Sequence, residues 1–437
     1  MISIVNQYFC YQKQAPIVPL SVHRFTVLPM IAARSPAYWR VTSALCLGSF
    51  MVFNNLYITQ PLLPMLAEHF QISELLASYS LTLCTLTLGV ALLVYAPLSD
   101  ALGRRALLLG SMLGATVCAL LISQIDDYHW LLALRAIQGV MLAGLPAVAL
   151  AYMADEFEPD ALLSAVGLYI AANSLGGISG RLIGGFVGEY LGWQEAFLLM
   201  GIFGFVLWLV VLWLLPVQQR FQSQPLAMSR ITRQFGQHLR NRWLLPAFLV
   251  GGLNFFVFIN QFSFITFVLE DAPYHLSSQF LGMLFLTYLS GTLASGLSGK
   301  FTRRWGQPVC MTIGCGLLIL GSLVTLFDSL VVKILGLLIN SFGFFFAHSS
   351  ASGYVSQTAK HAKASASALY LLTYYLGAST GGLYLNLFWM WNHWTGVILG
   401  SLLVLGLTLS LSLWLAHQRQ RLIVQPTPNL TQRVQTA

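Results

Sequence analysis

Charge is what this chain has least of. Of its 437 residues only 8% are Asp, Glu, Lys or Arg, against roughly 25% in soluble domains, which excludes a water-soluble globular fold and leaves no room for a soluble catalytic domain. Cysteine is nearly as scarce. The six present, Cys10, Cys46, Cys84, Cys118, Cys310 and Cys315, form no close pair with metal or redox spacing. Five of them fall inside apolar runs and read as small core residues. No disulfide scaffold, metal site or cofactor is therefore expected. Acid is missing from the interior of the apolar runs as well, since all 14 Asp and Glu lie in loops or near run ends.

What remains is apolar: 57% of residues are hydrophobic and the mean hydropathy is +0.73. A helix that crosses a bilayer needs roughly 20 such residues. Runs bounded by charge or turn residues predict twelve spans. They cover about Val41–Leu66, Leu75–Leu98, Ala106–Ile125, Trp130–Met153, Ala161–Tyr190, Trp193–Leu215, Leu244–Leu269, Ser278–Ser298, Val309–Leu326, Val331–Tyr354, Ala364–Met390 and Thr395–Ala416. The fold class expected is all-α integral membrane, with twelve helices in two six-helix halves.

Orientation follows from the basic residues, which short cytoplasmic loops retain. They cluster in the amino tail (Lys13, Arg24, Arg34, Arg40), at Arg104 and Arg105, along 220–242, at Lys300, Arg303 and Arg304, at Lys360 and Lys363, and in the carboxy tail. The intervening loops carry only acids, such as Glu68, Glu74, Asp126, Glu189 and Asp328. Both termini are thus expected in the cytoplasm. The expected layout is a tail at 1–40, a first half at 41–215, a basic linker at 216–242, a second half at 243–416 and a tail at 417–437. Translation from Met30 instead of Met1 remains open. In the linker, Ile231, Phe235, Leu239 and Trp243 recur every fourth residue among arginines, which fits a helix lying on anionic lipid or a solvated linker.

The two halves repeat one another at an offset of about 200 residues. Ser164-Ala-Val-Gly-Leu-Tyr169 returns as Ser365-Ala-Ser-Ala-Leu-Tyr370, Gly176 and Gly180 return as Gly377 and Gly381, and Leu98-Ser-Asp100 before Arg104-Arg105 returns as Leu297-Ser-Gly299 before Arg303-Arg304. Repeated halves of this kind suit a carrier that rocks about a midplane site.

Three stretches carry the chemistry. Ala96-Pro-Leu-Ser-Asp100-Ala-Leu-Gly103-Arg104-Arg105 joins the second and third spans, with a glycine for a tight turn and an acid beside two arginines for charge-assisted bonds. Leu134-Arg135-Ala-Ile-Gln138-Gly139 places a guanidinium about 10 Å inside the membrane, where such a group faces a cavity or partner or snorkels to the interface. The fifth span sets Gly176, Gly180, Gly184 and Gly188 on one stripe, which permits close helix packing, with Arg181 beside Gly180.

The first of these resembles the signature loop of the major facilitator superfamily, although Ala96 and Ala101 depart from its pattern. Arg135 to Gly139 looks like its second motif, and the glycine stripe resembles its antiporter motif without that motif's proline. The run Gly167–Arg181 with Asn173, together with Phe344–Ser350 and Leu369–Gly377, looks like the YnfM-type inner-membrane transporters among the drug:proton antiporter-like members. The resemblance spans about Arg40 to Ala416 and implies a proton-coupled carrier of small molecules in a bacterial inner membrane, working as a monomer among lipids, with no nucleic-acid partner. In the superfamily's pattern the motif acid approaches the start of the eleventh span, here Ala364 and Ser365. Asp100 and Arg104 with the acidic pair Asp155 and Glu156 are expected to form a cytoplasmic latch between the halves.

Polar side chains inside apolar runs outline the expected pathway: Asn54, Asn55, Tyr57 and Gln60; Arg135, Gln138, Asn173 and Arg181; Asn254, Asn260 and Gln261; Asn340, Tyr374 and Tyr375. Each could equally bond a neighbouring helix. His348, the one histidine inside a span, is the proton-coupling candidate, because an imidazole titrates between about pH 5 and 8; helix packing is its alternative role. Gly377-Ala-Ser379-Thr-Gly381 and Gly177-Ile-Ser179-Gly180 spell serine-hydrolase patterns, but the nucleophile elbow needs a strand before its helix. The expectation is a secondary exporter of a small, partly apolar molecule against protons. Proton-coupled import is the alternative, and an intramembrane hydrolase is a remote one.

Overall fold

In lipid only a helix satisfies its own backbone, and the apolar runs fold accordingly. The computed structural model describes residues 30–218, 228–359 and 361–424. The amino tail before residue 30, with the Met1 start, part of the linker, Lys360 and the end of the carboxy tail lie outside the described residues. The first half holds α1 (Pro36–Tyr57), a 3-10 turn at Gln60–Leu62, α2 (Leu63–Phe70), α3 (Glu74–Leu102), α4 (Arg104–Ile122), α5 (Tyr128–Leu142), α6 (Gly144–Glu156), α7 (Pro159–Leu191) and α8 (Trp193–Leu214). After α9 (Met228–Leu239) the second holds α10 (Leu244–Glu270), α11 (Ser278–Met283), a 3-10 turn at Leu284–Thr287, α12 (Tyr288–Trp305), α13 (Gln307–Val324), α14 (Leu330–Thr358) and α15 (Lys363–Val424). The only strand-like pairing among the described residues is a bridge between Ile31 and Phe157.

Eleven helical stretches are long and apolar enough to cross a membrane, and the last, Ser365–Arg419, has 55 residues. At 1.5 Å per residue it would reach about 80 Å, far beyond a hydrocarbon core of about 30 Å. It breaks at Asn392 and His393, where φ of His393 is 40°, and doubles back so that Gly396 and Gly400 lie against Phe388. The break makes two spans of one, so the described residues hold twelve.

Two spans are interrupted in ways that matter for the site. The first stops at Tyr57, turns through Gln60–Leu62 and resumes as α2, with Pro61 and Pro64 at the resumption. Because the α-helix ends at Tyr57, the carbonyls of its last turn fall outside the ladder, and Pro61 has no N–H to offer the Tyr57 carbonyl. The eighth breaks likewise at Leu284–Thr287.

The internal repeat is visible as two matching seams. In the first half α7 lies against α1, where a Cβ on Gly176, Gly180 or Gly184 would run into the backbone of Phe50, Asn54 or Ile58. Gly188 faces Leu62. In the second half Gly377 and Gly381 face the backbone of Gly252 and Phe256 on α10. The linker contributes α9, whose Phe235 packs with Trp243 on the cluster around Phe248, Val355 and Tyr370, while Leu239 is exposed.

Candidate functional site

Arg135 on α5 is completely buried, at 0% exposure. Its Nε donates to the Ser80 carbonyl (2.8 Å), Nη1 to the Asn55 carbonyl (3.0 Å) and to Gln138 Oε1 (2.5 Å), and Nη2 to the Leu56 carbonyl (2.9 Å). Asn55 and Leu56 belong to the last turn of α1, so the guanidinium caps carbonyls that the break after Tyr57 leaves bare. Gln138 Nε2 continues the network to Asn55 Oδ1 (3.3 Å) and the Ala115 carbonyl (3.2 Å). Four helices are thereby tied through one cation that needs no carboxylate.

Arg181 on α7 is also buried, at 1% exposure, yet its surroundings differ. Nε donates to Gln60 Oε1 (2.8 Å) and Nη1 to the carbonyl of Gly177 (2.6 Å). The guanidinium carbon lies 3.9 Å from the ring centre of Tyr57, 4.6 Å from Phe285 and 4.7 Å from Tyr288. Tyr57 belongs to the first half, whereas Phe285 and Tyr288 belong to the second. Gln60 reaches across too, its Nε2 donating to the Ile259 carbonyl and to Ser263 Oγ, both at 3.1 Å. Arg181 and Gln60 together clasp the halves.

Other bonds between the halves lie at mid-depth or towards the end far from the termini. Thr85 and Ser379 hydroxyls meet at 3.2 Å, Ser278 N donates to Glu189 (2.9 Å), and Tyr190 donates to Gln279 (2.9 Å). At the same end Gly185 lies against Gly282, near enough that a Cβ on Gly185 would stand 3.0 Å from the Gly282 Cα.

Behind the clasp runs an aromatic wall of the second half. Tyr288 stands 5.1 Å from Phe258, which stacks on Phe344 at 4.0 Å. Phe255 stacks on Tyr374 at 3.8 Å, and His348 lies 4.7 Å from Tyr374. His348 Nδ1 is 2.8 Å from the Tyr370 hydroxyl. Tyr375 turns the other way, its Cβ lying where a side chain on Gly89 would stand.

Several expected pathway residues bond within their own half. Asn54 donates to the Phe50 carbonyl (3.1 Å) and accepts from Ser179 (3.1 Å), while Asn173 pairs with Ser49. Asn254 donates to Cys315 (3.4 Å), and Asn260 to the carbonyls of Phe256 and Ala378 (both 2.9 Å). Gln261 and Asn340 meet at 2.9 Å and share Ser322. Sequence reasoning passed over Ser263 and Ser322, which carry the same signal as the asparagines, a polar group in an apolar run. It also passed over Phe258, Phe285, Tyr288, Phe344 and Tyr370, which an aromatic content of 13% conceals.

At the end near the termini, Gly103 turns with φ 98° between α3 and α4. Arg104 pairs with Asp155 at 2.8 Å, and Arg105 donates to the carbonyls of Leu215 (2.8 Å) and Leu212 (3.0 Å). Glu156 is buried beside them. All these groups belong to the first half, and the Arg104–Asp155 pair braces it internally. The side chain of Asp100 and its expected approach to Ala364 lie outside the described residues.

A family model described as the Major Facilitator Superfamily matches residues 45–382. The chain belongs to this superfamily. It is 37% identical over 377 residues to the inner membrane transport protein YnfM of Escherichia coli (strain K12), covering 86% of this chain and 90% of that one. To the MFS-type transporter YybF of Bacillus subtilis (strain 168) it is 36% identical over 392 residues, covering 90% and 96%. A solved bacterial homologue of the human lysosomal transporter Spinster, inward-facing and unoccupied, shares the fold at TM-score 0.69 and 16% identity, covering 90% of this chain and 100% of that one. The nucleoside transporter NupG does so at 0.67 and 14%, covering 86% and 98%. The superfamily and its members are transporters, and this chain is an integral membrane transport protein, not an enzyme.

Proposed function

We propose that the chain works by alternating access and exports a small, partly apolar molecule against proton entry. The clasp carries this reading: Gln60 joins buried Arg181 to Ile259 and Ser263 of the opposite half, so a few polar bonds close one end of the molecule. Interhelical bonds in membranes average about 0.6 kcal/mol, whereas moving a two-state equilibrium from 1:99 to 99:1 takes about 5.5 kcal/mol. Such a clasp biases the closed end without locking it. With the basic loops and both termini in the cytoplasm, the closed end is extracytoplasmic and the form described is inward-facing.

In this reading residues 41–215 and 243–416 rock about the site as a monomer in the bacterial inner membrane, and the linker 216–242 rests on anionic lipid. Arg135 and Gln138 brace the first half beside the pathway, while Tyr57, Arg181, Tyr374 and His348 face the substrate. His348 carries the proton, because it is half-buried among aromatic rings with Tyr370 as its polar partner. Asp100, Gly103, Arg104, Arg105, Asp155 and Glu156 steady the cytoplasmic gate.

Compounds that stabilise the purified protein thermally, as any ligand selective for the folded form must, supply the substrates for the test. Added to respiring everted vesicles that contain the protein, an exported substrate should discharge the acid interior, and His348→Gln should abolish that discharge while leaving substrate exchange intact. Alkalinisation of the medium around de-energised right-side-out vesicles would instead establish import with protons. Discharge by His348→Gln equal to wild type would exclude His348 as the carrier.

A further inference from the structure

The two buried arginines are satisfied unequally, and the difference describes a ligand. Every nitrogen of the Arg135 guanidinium donates to an oxygen of the protein. Arg181 uses only Nε and Nη1, and Nη2 has no hydrogen-bond partner among the described residues. No ion pair accompanies it there, although it is 99% removed from solvent by its 1% exposure. The Tyr288 hydroxyl, on the ring beside it, is buried and also without a partner. Two polar groups, one from each half, are thus left open at the same place. A buried charge without a counter-ion is costly, and both open groups are donors able to serve one acceptor.

What adjoins them is flat and apolar. From Tyr288 the rings of Phe258 and Phe344 continue to Tyr374 and His348 at successive centroid separations of 5.1, 4.0, 6.2 and 4.7 Å. Tyr374 and His348 are only half-buried, so this end of the wall is accessible. Resting on the transport reading above, we propose that the substrate is an organic monoanion with a flat aromatic body. Its carboxylate or sulfonate accepts from Arg181 Nη2 and the Tyr288 hydroxyl, and its body lies along the rings towards Tyr374 and His348. A cation of the same shape meets an uncompensated guanidinium and is rejected.

Equilibrium binding to the purified full chain in chloride-free buffer tests this, with 2-naphthoate, 2-naphthamide, 2-naphthylmethylammonium and decahydro-2-naphthoate as probes. For the wild type, naphthoate should bind about tenfold or more tightly than the amide, a ratio worth about 1.4 kcal/mol, and the ammonium should bind more weakly still. The saturated acid should be weaker than naphthoate. Arg181→Gln should remove the preference for the anion, and Arg181→Lys should restore part of it. Tyr288→Phe should weaken naphthoate by a larger factor than the amide, because a bond to a carboxylate is stronger than one to a neutral carbonyl, and a folding defect would weaken the two alike. Equal binding of naphthoate and its amide by the wild type, an anion preference that survives Arg181→Gln, or no binding of naphthoate would each overturn the proposal. Equal binding of naphthoate and its saturated counterpart would overturn the flat body. Because no gradient is present, failure here leaves proton-coupled transport standing, and binding without gradient-driven flux would refute that reading instead.

Discussion

The two halves tie their cores at corresponding places with different chemistry. In the first half Asn55 and Gln138, on α1 and α5, bond the Arg135 guanidinium, and Gln138 reaches on to the Ala115 carbonyl of α4. In the second Gln261, Ser322 and Asn340, on α10, α13 and α14, form a neutral triad. The positions correspond at an offset of about 200 residues, as duplicated halves require. The reason for the difference lies in the first span of each half. The α1 helix ends at Tyr57 before Pro61 and leaves carbonyls bare, whereas α10 runs unbroken from Leu244 to Glu270. A guanidinium is useful where orphan acceptors exist and would be stranded where a continuous helix has already used them. Backbone breakage thus accounts for a guanidinium at this place in the first half and a neutral triad in the second, which buries its own cation, Lys333, elsewhere, against the Thr325 carbonyl.

Removing that charge should give the largest effect. Arg135→Gln leaves the Asn55 and Leu56 carbonyls without a donor, and each bare buried acceptor costs about 1–3 kcal/mol. Arg135→Lys should recover little, because an ammonium cannot reproduce the planar fork. Thermal unfolding of the purified protein should show a far larger loss for Arg135→Gln than for Asn340→Leu. Equal losses would mean that the two ties are equivalent and that helix breakage does not set the choice.

Next come the seams, where the halves should behave alike. A Cβ on Gly180 meets the Asn54 backbone, and one on Gly381 meets the Phe256 carbonyl and the Asn260 amide. Overpacking of this kind costs about 1–3 kcal/mol, so Gly180→Ala and Gly381→Ala should destabilise to similar extents. If the first were far worse, the seams would not be equivalent despite their shared spacing.

The same contrast separates what the residues revealed from what they hid. Spans, linker helix and repeat were legible because hydropathy period and self-similarity are local properties. The helix break after Tyr57 left a trace in Pro61 and Pro64, but its consequence for Arg135 did not, since the carbonyls it caps lie about 80 residues earlier and any polar side chain in a span looks alike on paper. Arg181 was visible as a charge among glycines. Its ring of Tyr57, Phe285 and Tyr288 was not, because two of those residues come from the other half and nothing local distinguishes them from lipid-facing aromatics. The meeting of Arg104 with Asp155 was legible as opposite charges on neighbouring loops, but that the pair lies within the first half was not; the latch expected between the halves turns on Asp100, whose side chain lies outside the described residues.

Asn340→Leu should have a smaller effect than the seam variants. It deletes bonds to Gln261 and Ser322, and such interhelical bonds average about 0.6 kcal/mol with a maximum near 1.7. Gln261 and Ser322 can still bond each other, as they do at 3.0 and 3.1 Å. A loss as large as that of Arg135→Gln would show the neutral triad to be as tightly coupled as the charged network.

The smallest effect belongs to the loops at the end near the termini, where the first half carries acids that the second lacks. The first has Arg104 paired with Asp155 at 2.8 Å, whereas the second has Gly299 in place of the motif acid and leaves Arg303 and Arg304 exposed. The Arg104 and Asp155 side chains are partly buried, at 13% and 31% exposure; ion pairs near the surface contribute about 0.2–1 kcal/mol, and salt screens them. Arg104→Gln should therefore lower stability slightly at low ionic strength and less at high, while Arg303→Gln should change nothing at either. The informative readout is turnover. If the Arg104 brace holds the first half rigid while the halves rock, Arg104→Gln should slow transport by more than its small stability loss accounts for, and Arg303→Gln should not. Equal turnover in the two variants would place the brace outside the transport cycle.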